Sequence, residues 1–225
     1  MIAMRPNKEA MRAIGMVSFI IPAWNEEPML RQTLPVLEEA ARALPVPHET
    51  IVVDDASTDR TGRVAREHGA RVLMVHLHQM AATRNAGAKV ARGDMLVFVD
   101  ADTLVNEAVL TAAVKPVREG AVGGTCLVLF EGALPLYAKL LIPLSHVFRR
   151  VFRLAAGCFL FCERAAFESV GGFNEKLYAA EEVDLGAQLK RAGRFVILRE
   201  SVITSGRKLR DYSGWEILAI LLRWR

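Results

Sequence analysis

Residues 82–102 read ATRNAGAKVARGDMLVFVDAD, and the fold is decided inside that stretch. A helical pattern over about 80–91 gives way to DMLVFVD at 94–100, an apolar run bounded by acids. A run of that kind suits a strand buried on both faces, as in a parallel sheet. It ends on Asp100-Ala101-Asp102.

Towards the N-terminus the same alternation recurs. VSFIIP at 17–22 is a buried strand stopped by Pro22. Leu30, Leu34, Leu37 and Ala41 mark a helix over 27–43, which Pro35 is expected to kink or interrupt. TIVVDD at 50–55 is a second strand, and the Ser57-Thr58-Asp59 cluster caps a helix through about His68. RVLMV at 71–75 is a third strand, and a further helix starts near Asn106. Strand alternating with helix predicts an α/β fold with right-handed crossovers: a doubly wound, mostly parallel twisted sheet with helices on both faces.

From Ala121 onward the pattern is less regular. LVLF at 127–130, GCFLF at 157–161 and FVIL at 195–198 read as strands. A helix over 181–192 follows from Val183, Leu185, Ala187 and Leu189, with Gly193 as its stop. The 225 residues are read as one domain over 16–225 after a loosely ordered tail, 1–15. Within it, 16–120 form a first half, 121–210 a second, and 211–225 an amphipathic end.

With 52% hydrophobic and 24% charged residues, the chain can bury a core and is not disordered in character. The net charge is +4, but cations cluster at Arg149, Arg150 and Arg153, at Arg207, Lys208 and Arg210, and at Arg223 and Arg225. Such clusters suit phosphates, an anionic membrane surface or plain solvent. Without interleaved aromatics they do not make a nucleic-acid platform. Cys126, Cys158 and Cys162 form no CxxC pair and read as small core hydrophobes in a reduced, cytoplasmic compartment.

The N-terminus, MIAMRPNKEAMRAIG, lacks the apolar run of a signal peptide, and no stretch of about 20 residues suits a bilayer span. Two greasy segments stand out: ALPLYAKLLIPLSHVF at 133–148 and WEILAILLRWR at 215–225. Three resting places suit them: the inner membrane surface as interfacial helices, the core, or a second subunit in a homodimer.

In an open parallel sheet, ligands bind beyond the carboxyl ends of the strands. Here the first strand delivers Pro22, Ala23, Trp24, Asn25 and Glu26, the second Asp54 and Asp55, and the fourth Asp100 and Asp102. Acids crowded in one crevice need a positive partner. Arg84 is one candidate, and Mg²⁺ or Mn²⁺, held by one or two carboxylates plus substrate phosphates, is the other. A single aspartate there could simply cap a turn; the whole set argues for a site.

Four ordered segments then carry a resemblance: SFIIPAWNEE at 18–27, TIVVDDASTDRT at 50–61, ATRNAGAKVARGDMLVFVDAD at 82–102 and VGGFNEKLYAAEEVDLGAQLKRAG at 170–193. Across roughly residues 16–205 the chain resembles the family 2 glycosyltransferases of the GT-A fold. The resemblance implies metal-dependent transfer of a sugar from a nucleoside-diphosphate sugar, UDP- or GDP-linked, to an acceptor hydroxyl with inversion. The acceptor, a glycan, lipid or small molecule, would belong to residues 121–210 and the nucleotide to 16–120.

The resemblance also implies roles. Asp55 would contact the base, with Asp54 beside it. Pro22, Ala23, Asn25 and Glu26 would line the nucleotide pocket, and Arg84 would lie beside the base or diphosphate. Asp100 would sit near the ribose and metal-bound water, and Asp102 would ligate the metal directly. Gly87 and Gly93 would allow close helix packing and a turn. The general base, commonly the Asp of a Glu-Asp pair, falls on Glu181-Glu182, where the second position departs by one methylene. Glu182 is the expected base and Glu181 the alternative; Asp184 would face elsewhere. The late histidine of many relatives has no counterpart in VITSGRKLR at 202–210, so Arg207 or Lys208 is expected to cover the diphosphate.

His76 and His78, two apart, would share a strand face as structural or solvent-facing groups. Trp24 would stack on the base or plug the pocket wall. Two other functions remain on the same fold: a non-catalytic nucleotide- or partner-binding module, and a sugar-nucleotide nucleotidyltransferase. The Gly-free PAWNEE after the first strand disfavours the latter.

Overall fold

The computed structural model describes residues 12–132, 157–178 and 180–207. Val17–Ala23 (β1) is buried at all seven positions, as an unbroken apolar run in a sheet covered on both faces should be. His48–Asp55 (β2) is buried from Ile51 on, Arg71–Val75 (β3) forms the sheet margin, and Met95–Val99 (β4) is fully buried. Between them run Glu27–Ala41 (α1), Thr61–Glu67 (α2) and Met80–Val90 (α3). The chain continues through Thr103–Leu104 (β5), Glu107–Arg118 (α4), Gly123–Glu131 (β6), Phe159–Glu163 (β7), Arg164–Ser169 (α5), Glu181–Ala192 (α6) and Phe195–Ser205 (β8).

Among the described residues these strands make one eight-stranded sheet, ordered β3-β2-β1-β4-β7-β6-β8-β5. β1 pairs in parallel with β2 and β4, β2 with β3, and β6 with β8. β7 runs antiparallel between β4 and β6, and β5 antiparallel to β8. Most strands therefore run one way, with β5 and β7 opposed.

Side-chain alternation sorts the core into two layers. Val17, Phe19 and Ile21 with Val97 and Val99 pack against Leu30 and Leu37 of α1, Val64 of α2 and Val109 of α4. Ile20, Ile51, Val53, Leu96 and Phe98 pack on the other side against Ala81 and Ala88 of α3, Phe167 of α5 and Leu185 and Leu189 of α6.

Pro35 does not interrupt α1, which runs through it. The proline is on the exposed face, where water can serve the carbonyl that loses its amide partner. α2 begins at Thr61, later than the Ser57 cluster suggested; Asp59 Oδ1 accepts from the Thr61 amide at 2.9 Å but does not itself stand at the cap. Asn106 does cap α4, its Oδ1 accepting from the Val109 amide at 2.9 Å. α6 spans the expected residues and stops at Gly193. β8 is longer than FVIL by seven residues, ending at Ser205 rather than residue 198. β3 ends at Val75, so His76 and His78 lie in the loop after it and share no strand face.

The tail expected to run loose through Gly15 is held from Arg12 on. The Arg12 amide donates to the Arg118 carbonyl at 2.8 Å, and Ile14 is buried in the core. Among the described residues no helix is long and apolar enough to cross a membrane. The greasy segments 133–148 and 215–225, the arginines at 149, 150 and 153, and Lys208 lie outside the described residues.

Gly93 fixes the entry into β4. A Cβ there would stand 2.7 Å from the Ser18 amide nitrogen and 2.8 Å from the Met16 carbonyl oxygen, both backbone atoms at the start of β1. Backbone cannot yield as a side-chain tip can, so Gly93→Ala should cost about 1–3 kcal/mol of unfolding free energy. Urea unfolding checks this; a variant as stable as the parent would refute the close packing.

Candidate active site at the carboxyl ends of the strands

β1, β2 and β4 end at the same edge of the sheet, and there a cavity of 370 Å³ opens. Pro22, Ala23, Trp24 and Glu26 line it from β1, Asp55 from β2, His78, Gln79, Met80 and Thr83 from the start of α3, Asp100, Ala101 and Asp102 from the end of β4, and Arg207 from beyond β8. Trp24 lines the cavity while 60% exposed. Its ring is open to a ligand.

Asp54 and Asp55, adjacent on β2, point to opposite faces. Asp54, expected in the nucleotide site, is turned towards α2, where its Oδ1 accepts from the Ser57 amide at 3.0 Å and its Oδ2 fits against Gly62. It does not line the cavity. Asp55 does: Oδ1 accepts from the Leu77 amide at 2.6 Å and Oδ2 from Thr83 Oγ1 at 2.9 Å. Burial pushes its carboxyl upward, but these donors and the His78 amide outweigh burial and hold it below the usual range.

Asn25, also expected to line the pocket, instead clips two loops together. Its φ of 53° is left-handed, which asparagine tolerates better than most residues. Its Oδ1 accepts from the Thr58 amide at 2.8 Å, while its own amide donates to Ser57 Oγ at 2.9 Å. Asn25 shapes the cleft from behind.

Asp100 and Asp102 sit in the turn joining β4 to β5. The Asp100 amide donates to the Cys158 carbonyl at 3.2 Å, and the Thr103 amide to the Asp100 carbonyl at 3.0 Å. β5 then pairs with Ile203 and Thr204 of β8, which brings the end of β8 alongside Asp102. Thr204 Oγ1 donates to Asp102 Oδ1 at 3.2 Å, and Arg207 Nη2 to Asp102 Oδ2 at 3.2 Å. The same nitrogen reaches both Glu26 oxygens at 3.0 Å, so Arg207 bridges the ends of β1 and β4 across the cavity mouth. Partial burial alone would weaken the Arg207 charge, but Glu26 and Asp102 more than restore it.

Arg84 is buried behind the cleft. Its Nη2 donates to Asp100 Oδ1 at 2.8 Å and to the Gly157 carbonyl at 3.3 Å; its Nη1 donates to Glu181 Oε1 at 2.6 Å. The guanidinium stands 5.3 Å from the Phe173 ring centroid. Burial opposes its charge, yet Asp100 and Glu181 hold it on. Among the described residues Nε has no partner, so a buried donor is left over at this node.

α6 starts at this node. Ala180, at φ 54°, makes the turn into it, and Glu181, Glu182 and Asp184 occupy the first turn, where acids meet the positive end of the helix dipole. Glu181 is taken up by Arg84. Asp184 accepts from Gln188 Nε2 at 2.7 Å, away from the node. Glu182 lies against Gly157. Burial, then the charge of Glu181, pushes its carboxyl above the ordinary range, with Asp100 adding to the rise and Arg84 opposing it.

Gln79, Met80 and Thr83 were not singled out in the sequence, and His78, read there as structural or solvent-facing, lines the cavity. Gln79 ties the α3 entry to the second half: its Nε2 donates to the Leu177 carbonyl at 2.7 Å and its Oε1 caps α3. The signal available for Thr83 was its place beside Arg84; for His78, a φ of 49° that no sequence pattern announces.

Comparisons with known proteins bear on this geometry. The family model described as glycosyl transferase family 2 matches residues 18–157. The validoxylamine A glucosyltransferase of Streptomyces hygroscopicus subsp. limoneus is 31% identical over 131 residues, which is 54% of this chain and 29% of that protein. The chain therefore spans less than a third of that relative. Among solved structures, the mannosyltransferase PcManGT from Pyrobaculum calidifontis, in complex with GDP-Man and Mn²⁺, aligns with a TM-score of 0.70 at 20% identity over 94% of this chain and 62% of that one. S. aureus TarS 1–349 in complex with UDP-GlcNAc aligns with a TM-score of 0.62 at 19% identity, over 84% and 58%. These two likenesses concern the fold.

Proposed function

The chain belongs to glycosyl transferase family 2, and from that premise we propose that it transfers a sugar from a UDP- or GDP-linked donor to an acceptor hydroxyl with inversion. The observation that carries the reading is the pairing of two features: a cleft fed with acids by β1, β2 and β4, and beside it a carboxylate, Glu182, made more basic by its surroundings. Arg84 ties Asp100 of the cleft to Glu181, the residue next to Glu182.

In this reading the nucleotide occupies the cavity, with Trp24 available for stacking and Asp55 for the base. Arg207 swings from Glu26 and Asp102 to the diphosphate. Glu182 takes the proton of the acceptor hydroxyl as its oxygen attacks the anomeric carbon. The bond from that carbon to the diphosphate oxygen breaks, and nucleoside diphosphate leaves with the electron pair. A base whose carboxyl titrates above the ordinary range holds a proton better once it has taken it.

The residues present fit a hard divalent cation. Asp102 offers oxygen donors, and its carboxylate already holds a positive group, Arg207. Among the described residues no cluster of three His, Cys, Asp or Glu stands ready as a complete cage. Such a site suits Mg²⁺ or Mn²⁺, which take one or two carboxylates and complete their shell with phosphates and water. Asp102 would be the direct ligand and Asp100 its neighbour. Bound there, the ion would neutralise charge on the departing diphosphate.

Thermal shift with UDP and with GDP, each with and without Mn²⁺, tests the donor reading. A ligand at 100 times its Kd stabilises by about 2.7 kcal/mol, so one nucleotide should raise the melting temperature, more so with Mn²⁺, and Asp102→Asn should abolish the metal-dependent part. No metal-dependent shift with either nucleotide would overturn the reading.

A further inference from the structure

We infer that Gly157 is a positioning residue for the base: the missing side chain at its Cα is the notch that seats the Glu182 carboxylate and fixes which length of acid can serve. The inference rests on the reading of Glu182 as the proton acceptor. It concerns the feature in which this chain departs from the Glu-Asp pair, the extra methylene at position 182.

A Cβ on Gly157 would lie 2.8 Å from Glu182 Oε1, 3.1 Å from its Cδ and 3.5 Å from its Cγ. The clash thus runs along the outer half of the side chain. The backbone at this point is held by two hydrogen bonds. The Gly157 carbonyl accepts from Arg84 Nη2, and the next carbonyl, that of Cys158, accepts from the Asp100 amide. On the opposite side, α6 is pinned at its first residue by the Glu181–Arg84 pair. With both backbones held, the part free to yield is the Glu182 tip itself. An added methyl at 157 therefore moves the carboxylate and leaves the fold in place.

Shortening the acid reverses the conflict. Aspartate at position 182 withdraws the carboxylate by one carbon–carbon bond, about 1.5 Å, which puts its carboxyl carbon near the present Cγ position, 3.5 Å from a methyl at 157 and at ordinary contact distance. The two positions should be coupled, and a double-mutant cycle reads that coupling.

Wild type, Gly157→Ala, Glu182→Asp and the double variant are compared by release of UDP or GDP from UDP-glucose, UDP-N-acetylglucosamine or GDP-mannose with Mn²⁺. In the wild-type background, Gly157→Ala is expected to lower kcat by about 10- to 100-fold, the scale of an ångström's misplacement, with donor KM unchanged. In the Glu182→Asp background the same alanine should cost less than about twofold, the sign of a relieved clash. An equal loss in both backgrounds overturns the notch, because a glycine needed only for folding or sugar contact would be insensitive to residue 182. Glu182→Gln separates the two claims: full activity in that variant removes the base reading itself. Where none of the three donors turns over, the crystal structure of Gly157→Ala decides. The carboxylate should have moved by roughly 0.7 Å, from 2.8 Å to a contact of about 3.5 Å, with α6 in place; an unmoved carboxylate overturns the inference.

Discussion

Glu182→Gln is expected to lower kcat by about 10²–10⁴-fold, the range that a positioned general base contributes, while nucleotide affinity and folding stability stay close to those of the parent. The substitution is nearly isosteric. It removes a charge from a place where burial and the neighbouring Glu181 and Asp100 charges disfavour it, so the folded state is not penalised. The amide cannot take the acceptor proton. The pH profile supplies the second half of the test. A base must be ionised to act, so kcat/KM of the parent should fall as pH drops through the Glu182 pKa, which lies above the ordinary 4.5. In the Gln variant that limb should vanish from the residual rate. A variant within twofold of the parent, or one that keeps the limb, would move the base elsewhere.

Arg84→Met should lower the unfolding free energy by about 3–5 kcal/mol, the cost of breaking a buried ion pair by deleting one member. Arg84 is 3% exposed, and its guanidinium serves Asp100, Glu181 and the Gly157 carbonyl at once. Methionine keeps most of the volume, so the loss reads the stranded acids and not a cavity. Arg84→Lys should fall between the two, because a point charge cannot make the same fork. Urea unfolding measures all three. A Met variant within about 1 kcal/mol of the parent would mean that water reaches the acids and screens them.

How far the sequence reached follows from what each signal depends on. β1, β2 and β4 were legible because strands buried on both faces must be apolar throughout. α6 was legible because its period and Gly193 agree. β5 was not: two residues carry no period, and only their pairing with β8 makes them a strand. The joining of Arg84 to Glu181, 97 residues apart, is likewise invisible to any local pattern. Asp54 is the instructive case. Strand alternation alone separates it from Asp55, so the means of assigning the two to different faces was present in TIVVDD. His76 and His78 fail for the opposite reason, since a face was assigned to residues beyond the strand's end.

The place of β7 in the sheet has a mechanical consequence. β7, from the second half of the chain, is hydrogen-bonded along its whole length to β4 of the first, from Met95 opposite Glu163 to Val99 opposite Phe159. The strand leading to Asp100 and the strand that follows Gly157 are thus neighbours in one ladder, with no hinge between them. β4 and β7 cannot part like a pair of jaws without breaking that ladder. The spacing between the Asp100 turn and Gly157 is thereby set before any substrate arrives.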